Sequence, residues 1–131
     1  MIVLLLFPLL IGCGTDKPND LPKLHPCAVK IVDKSGAAVD NVTVVVAPPD
    51  SKWASIGLTG PDGVAEMKTN GIYPGVPVGT HKVVVAKYDV KEVNGEPVET
   101  LLFDKSFADE STTPLQLPAK ERVNYVTFEV F

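Results

Sequence analysis

Arginine is nearly absent from this chain: Arg122 is the only one in 131 residues. Without a guanidinium cluster there is no set of fork-shaped donors to hold a phosphate or stabilise an oxyanion. The lysines are scattered and the formal net charge is −4. That excludes the clustered basic face which nucleic acid or an anionic membrane surface would need. Cysteine is limited to Cys13 and Cys27, and histidine to His25 and His81. These are too few and too far apart for the closely grouped ligands of a zinc site, and neither HxxE nor HExxH occurs, so no metal is expected. Asp33, Asp40, Asp62 and Asp89 are the remaining candidates for calcium, but turn aspartates ordinarily bond their own backbone. A Gly-x-Ser-x-Gly nucleophile elbow is missing too. The apolar run at residues 1–12 is too short for a membrane-spanning helix. On these grounds no catalytic residue and no cofactor are expected.

What is present begins with that run. It ends in Leu10-Ile11-Gly12-Cys13, which resembles a bacterial lipobox: an insertable apolar stretch, then small or branched residues before a cysteine thiol. The resemblance implies that residues 1–12 are a lipoprotein signal peptide and that Cys13 is the lipid attachment site, carrying a thioether-linked diacylglycerol and an acylated amino terminus. Two or more acyl chains make such anchoring stable. No Lys or Arg precedes the run, a departure from the usual export signal. Gly14 after the cysteine resembles the signal for transfer to the outer membrane. The expected location is therefore the bacterial cell envelope, lipid-anchored at the outer membrane.

Residues 13–26 are polar and interrupted by Pro18, Pro22 and Pro26. They read as a semi-rigid tether, able to hold a domain roughly 40 Å from the lipid at about 3.1 Å per residue. Residues 27–131 suit one domain. Once Cys13 is acylated Cys27 has no partner, so the fold rests on its apolar core, with Cys27 expected as a small buried hydrophobe rather than a reactive thiol. The hydrophobic period through this region is two. Segments 27–33, 42–47, 81–88, 115–117 and 125–131 alternate or are β-branched, and Val126, Phe128 and Val130 share one face of the last. Asn94-Gly95 predicts a tight hairpin, and Gly60-Pro61-Asp62-Gly63 predicts another between 56–59 and 64–68. Short strands, many Gly and Pro turns and no long amphipathic segment indicate an all-β, antiparallel β-sandwich.

Three stretches carry a family resemblance. Asp33-Lys34-Ser35-Gly36-Ala37-Ala38-Val39-Asp40-Asn41-Val42-Thr43-Val44, Gly57-Leu58-Thr59-Gly60-Pro61-Asp62-Gly63-Val64-Ala65 and Pro77-Val78-Gly79-Thr80-His81-Lys82-Val83-Val84-Val85 together resemble the carboxypeptidase regulatory-like domain. The resemblance implies a seven-stranded, transthyretin-like (prealbumin, Ig-like) sandwich over 27–131. Gly60-Pro61 stands where that family has an acidic residue, and His81 where an aromatic is common. In carboxypeptidases the module is an accessory to a zinc peptidase domain that nothing here resembles. The purine-pathway hydrolase relative of the fold ends in a Tyr-Arg-Gly-Ser tail that is also missing.

Two loop aromatics stand out as candidates for ligand contact, Trp53 after the stiff Pro48-Pro49 pair and Tyr73 in Asn70-Gly71-Ile72-Tyr73-Pro74. Exposed rings there would anchor a protein or glycan partner, whereas rings folded down would act as lids on the sandwich. The reading is a non-enzymatic, membrane-anchored lipoprotein domain serving as a binding or structural module. The competing classes are an accessory domain of a transport or secretion assembly, and an enzyme or inhibitor with a loop site of its own. An enzyme would show titratable groups converging in a pocket; a binding module would show an exposed apolar patch without them.

Overall fold

A computed structural model describes residues 18–49 and 52–131. These are all-β, with no α-helix among them. The strands are β1 (Leu24–His25), β2 (Cys27–Val32), β3 (Thr43–Ala47), β4 (Ser55–Leu58), β5 (Val64–Glu66), β6 (Lys68–Thr69), β7 (Tyr73–Pro74), β8 (Val76–Pro77), β9 (Gly79–Ala86), β10 (Tyr88–Val93), β11 (Glu96–Leu101), β12 (Gln116–Ala119) and β13 (Asn124–Glu129). One turn of 3₁₀ helix, Lys105–Ala108, follows β11 and is capped by the Asp104 carboxylate, which accepts from Ser106 N at 2.9 Å.

The main sheet has the order β12-β9-β3-β4-β6-β7 and faces a smaller sheet, β13-β2-β5, across one core. Val29 and Ile31 from β2, Val44 and Val46 from β3, Val83 and Val85 from β9, and Leu117 from β12 are all fully buried. Each such side chain contributes about 1.5 to 3 kcal/mol relative to exposure. Valine dominates because its branched Cβ suits the pleated surface and disfavours helix. Phe107 of the 3₁₀ turn closes the core edge, with its ring edge-on to Phe131 at 5.1 Å between centroids.

Strand pairing departs from the sequence expectation at three places. The pair β13–β2 is parallel, from Asn124↔Cys27 to Glu129↔Val32, so the fold is not wholly antiparallel. Gly60-Pro61-Asp62-Gly63 makes a tight turn, with Gly63 N donating to Gly60 O at 2.9 Å, yet the flanking strands do not form a hairpin. β4 pairs with β3 and β6, whereas β5 pairs with β2 in the other sheet. The cause lies at the two ends of the turn. Thr59 Oγ1 accepts from Val42 N at 2.9 Å and donates to Val39 O at 2.8 Å, holding the exit of β4 in the main sheet. Gly63, at φ 75°, sits so close to β2 that a Cβ would lie 2.7 Å from Ile31 O, and its own carbonyl accepts from Ile31 N at 2.8 Å. The chain is handed across the core between these two clamps.

The third departure is at the amino end. Leu24–His25 pairs with Val76–Pro77, so the segment expected to be a free tether to residue 26 has joined the domain by β1. By contrast Asn94-Gly95 makes the expected two-residue turn, with φ of 55° and 81°, between Val93 and Glu96. Positive φ at both positions matches the right-handed twist of the flanking strands.

Candidate functional site

Residues 1–17 lie outside the described residues, and with them the lipobox, the signal peptide and Cys13. Of the two cysteines the structure describes Cys27, on the core face of β2, where burial pushes its thiol up to about 11. A thiol so placed is held protonated and shielded, which fits the buried-hydrophobe reading. His81 is buried in β9, and its Nε2 lies 2.6 Å from Pro77 O. A carbonyl only accepts, so Nε2 carries the proton, leaving the buried Nδ1 lone pair without a partner among the described residues. This imidazole fills core space rather than opening to a pocket.

Trp53 and Tyr73 are each only 8% exposed. At that burial neither ring offers a face to a partner, and their role is local. Lys52 stands 4.9 Å from the Trp53 ring centroid and pairs with the Asp20 carboxylate of the amino-terminal segment. Tyr73 lines, with Pro18, Leu21, Pro22 and Leu24, a depression of about 390 Å³. Both loops on which contact residues were expected therefore receive the incoming amino-terminal segment.

The remaining polar groups serve structure. Ser55 and Thr69, both fully buried, join hydroxyl to hydroxyl at 2.9 Å, and Thr69 Oγ1 donates onward to Gly75 O at 2.9 Å. That chain ends on a carbonyl and has no base, so it ties β4 to β6 and the following turn. Asp33 Oδ1 accepts from the Ser35 hydroxyl at 2.6 Å and from the Ser35 and Ala37 amides. The Ser35 hydroxyl, then the Ala37 amide, hold its carboxyl below the ordinary aspartate value. Asp62 bonds Val64 N, Asp40 pairs with Lys87 at 3.0 Å and Asp89 with Lys91 at 3.7 Å, so the four aspartates do not converge. Among the described residues no group of three or more potential metal ligands forms.

One element that presents exposed apolar side chains is the β10–β11 hairpin. It forms a two-stranded sheet of its own. Tyr88, Val90, Val93 and Val98 are all exposed on it, Val90 at 58%. Around them stand Asp89, Glu92, Glu96 and Glu99 against Lys91, so the ribbon is acidic. At its base Lys87 is tied to Asp40, and Leu102 N donates to Lys87 O at 2.8 Å, fixing where the ribbon leaves the body.

No family model matches the chain, and no curated protein matches it. Among solved structures, a 9R-lipoxygenase from Cyanothece PCC8801 is similar over 89% of this chain, at 13% identity and a TM-score of 0.42. The chain spans 18% of that protein's length. A likeness at this level carries no argument about fold or activity.

The hairpin strands were legible in the sequence, but their exposure was not. Alternation such as Tyr88-Asp89-Val90-Lys91 marks a strand with two unlike faces, and it does not say whether either face will be covered. The available signal was the charge content: strands β10 and β11 mix charged residues into both faces, whereas β3 has none.

Proposed function

We propose that this protein is a lipid-anchored lipoprotein of the bacterial cell envelope, at the outer membrane, whose domain is a non-catalytic, seven-stranded transthyretin-like sandwich acting by surface contact. Residues 1–12 are the signal peptide, and Cys13 joins the domain to membrane lipid. The observation that carries the contact reading is the free-standing β10–β11 hairpin. It holds Tyr88 and Val90 in solvent on one face and Val93 and Val98 on the other, and exposed apolar side chains rimmed by polar residues mark interaction surfaces. Support for a non-catalytic domain comes from the buried placement of Cys27, Ser55, Thr69 and His81, each engaged in packing or internal hydrogen bonds. The seven-strand reading draws on the family resemblance and on the shared core of the two larger sheets.

Because β1 belongs to the domain and residues 18–23 lead directly to it, the spacer between lipid and domain is short. Residues 13–17 reach at most roughly 18 Å when fully extended. The domain is thus held near the headgroups, less than half as far out as a tether to residue 26 would allow. Intact-mass measurement on membrane-extracted protein tests the anchor. The expected species begins at Cys13 and carries diacylglycerol plus one further acyl chain, and a Cys13→Ser chain leaves the membrane fraction. An unmodified Cys13 in membrane-extracted protein would overturn the reading.

A further inference from the structure

The outer edge of β10 is open to one more strand. In the hairpin register Tyr88 faces Leu101 and Val93 faces Glu96, and Lys87 O accepts from Leu102 N. Hydrogen-bonded and non-hydrogen-bonded pairs alternate along an antiparallel ladder. Lys87, Asp89, Lys91 and Val93 therefore turn their backbone groups towards β11, while Tyr88, Val90 and Glu92 turn theirs outward. Among the described residues no other strand pairs with either member of the ribbon. By the same parity the outward positions of β11 are Pro97, Glu99 and Leu101, and Pro97 has no N–H to donate. One edge is blunted and the other is not.

We infer that this edge of β10 pairs antiparallel with the same edge of a second copy of the chain, with Val90 opposite Val90; the inference rests on the reading of the hairpin as the contact surface. Three observations favour that occupant and that register. The parity works, since outward-facing residues meet outward-facing residues: Val90 with Val90, and Tyr88 with Glu92. The charges work as well, because the intervening positions set Asp89 against Lys91 twice, once on each side of the two-fold axis. Centring on Glu92 would oppose two carboxylates, and centring on Tyr88 would drive Val90 and Glu92 against Ala86 and Val84, which already pair with β3. Finally, a two-stranded ribbon is marginal alone, and joining two gives a four-stranded sheet that shields Tyr88 and Val90.

The full-length chain carrying Val90→Cys tests the pairing by brief oxidation followed by a non-reducing gel. Facing residues in a hydrogen-bonded antiparallel pair have Cα atoms about 5.5 Å apart, inside the disulfide range. Rapid dimer formation is expected for Val90→Cys. The unsubstituted chain sets the background, and Val98→Cys, on the strand beyond, stays at it. In the Val90→Cys chain, Asp89→Lys or Lys91→Asp alone should slow dimer formation roughly fivefold at low salt, and the double exchange should restore it. Val90→Cys at background, equal reaction at Val98→Cys, or no rescue by the double exchange would overturn the pairing. Intact mass on the same samples separates the two readings. Lipidated protein without the cross-link overturns the pairing alone, and cross-linked protein with an unmodified Cys13 overturns the anchor alone.

Discussion

Strands β9 and β10 are consecutive, separated by Lys87, and both alternate, yet they have opposite fates. β9 is bonded on one side to β3 and on the other to β12, and its residues His81, Val83 and Val85 are buried. β10 is bonded only to β11 and leaves Tyr88 and Val90 in solvent. The difference is in what the odd and even positions hold. On β9 the three alternate core positions admit no charge. On β10 each face carries at least one, so neither can be sealed without burying an ion, and unpaired burial of a charge is too costly. Lys87 marks the boundary, its ammonium held to Asp40 where the chain leaves the main sheet.

The sharpest way to break this comparison is to make the same change in both strands. Val83→Ala opens a cavity beside Val46 and is expected to cost about 1 to 3 kcal/mol in chemical denaturation. Val90→Ala, on the exposed ribbon, should stay within about 0.5 kcal/mol under monomeric conditions. Equal losses would mean that the hairpin is packed in solution.

The clamp that sends the chain from the main sheet to the smaller one gives the next largest effect. Thr59→Val preserves shape but leaves Val42 N without its side-chain acceptor and Val39 O without its donor. Buried groups stripped of partners cost about 1 to 3 kcal/mol, so a loss near 2 kcal/mol is expected, with the hairpin amides unaffected in hydrogen exchange.

A separate effect is expected at high pH. Cys27 has its folded value raised to about 11 from an ordinary 9.0. Below 9 both folded and unfolded thiols are protonated and the full stability is present. As pH rises from 9 towards 11 the unfolded thiol ionises first, so stability falls. Denaturation midpoints measured across that range should decline, and Cys27→Ala should remove this component of the decline. Rapid reaction of native Cys27 with a thiol reagent at pH 8 would show that the β2 end is open.

Much of the fold was legible because period-two alternation is a local property. The core faces of β2, β3, β9 and β13 can be read from Val29, Val44, Val83 and Val126 without knowing any partner. The Asn94-Gly95 turn was legible for the same reason, since the two-residue loop chooses its own backbone conformation. Partner choice was not legible. Gly60-Pro61-Asp62-Gly63 has the chemistry of a hairpin turn and makes the turn, but β5 pairs across the core because Thr59 and Gly63 are each bonded to residues more than fifteen positions away. The parallel pairing of β13 with β2 joins residues almost a hundred apart, and no local pattern encodes it. Whether Trp53 and Tyr73 stood out as anchors or folded down as lids was left open for a related reason: the structure buries both, and what lies beside Tyr73 includes the polar, proline-broken segment that read as tether.

The sequence by itself determined that this is an all-β chain with valine-rich core faces, one tight Asn-Gly hairpin, an acidic balance with one arginine, and an apolar start closing on Cys13. These follow from composition and nearest-neighbour chemistry, which act within a few residues. Only the tertiary structure decided which strands share a sheet, that the amino-terminal segment lies beside Tyr73 and pairs with Lys52, and that β10 keeps one edge unpaired. Those outcomes depend on which distant backbone groups meet, and that is settled only when the whole core is packed.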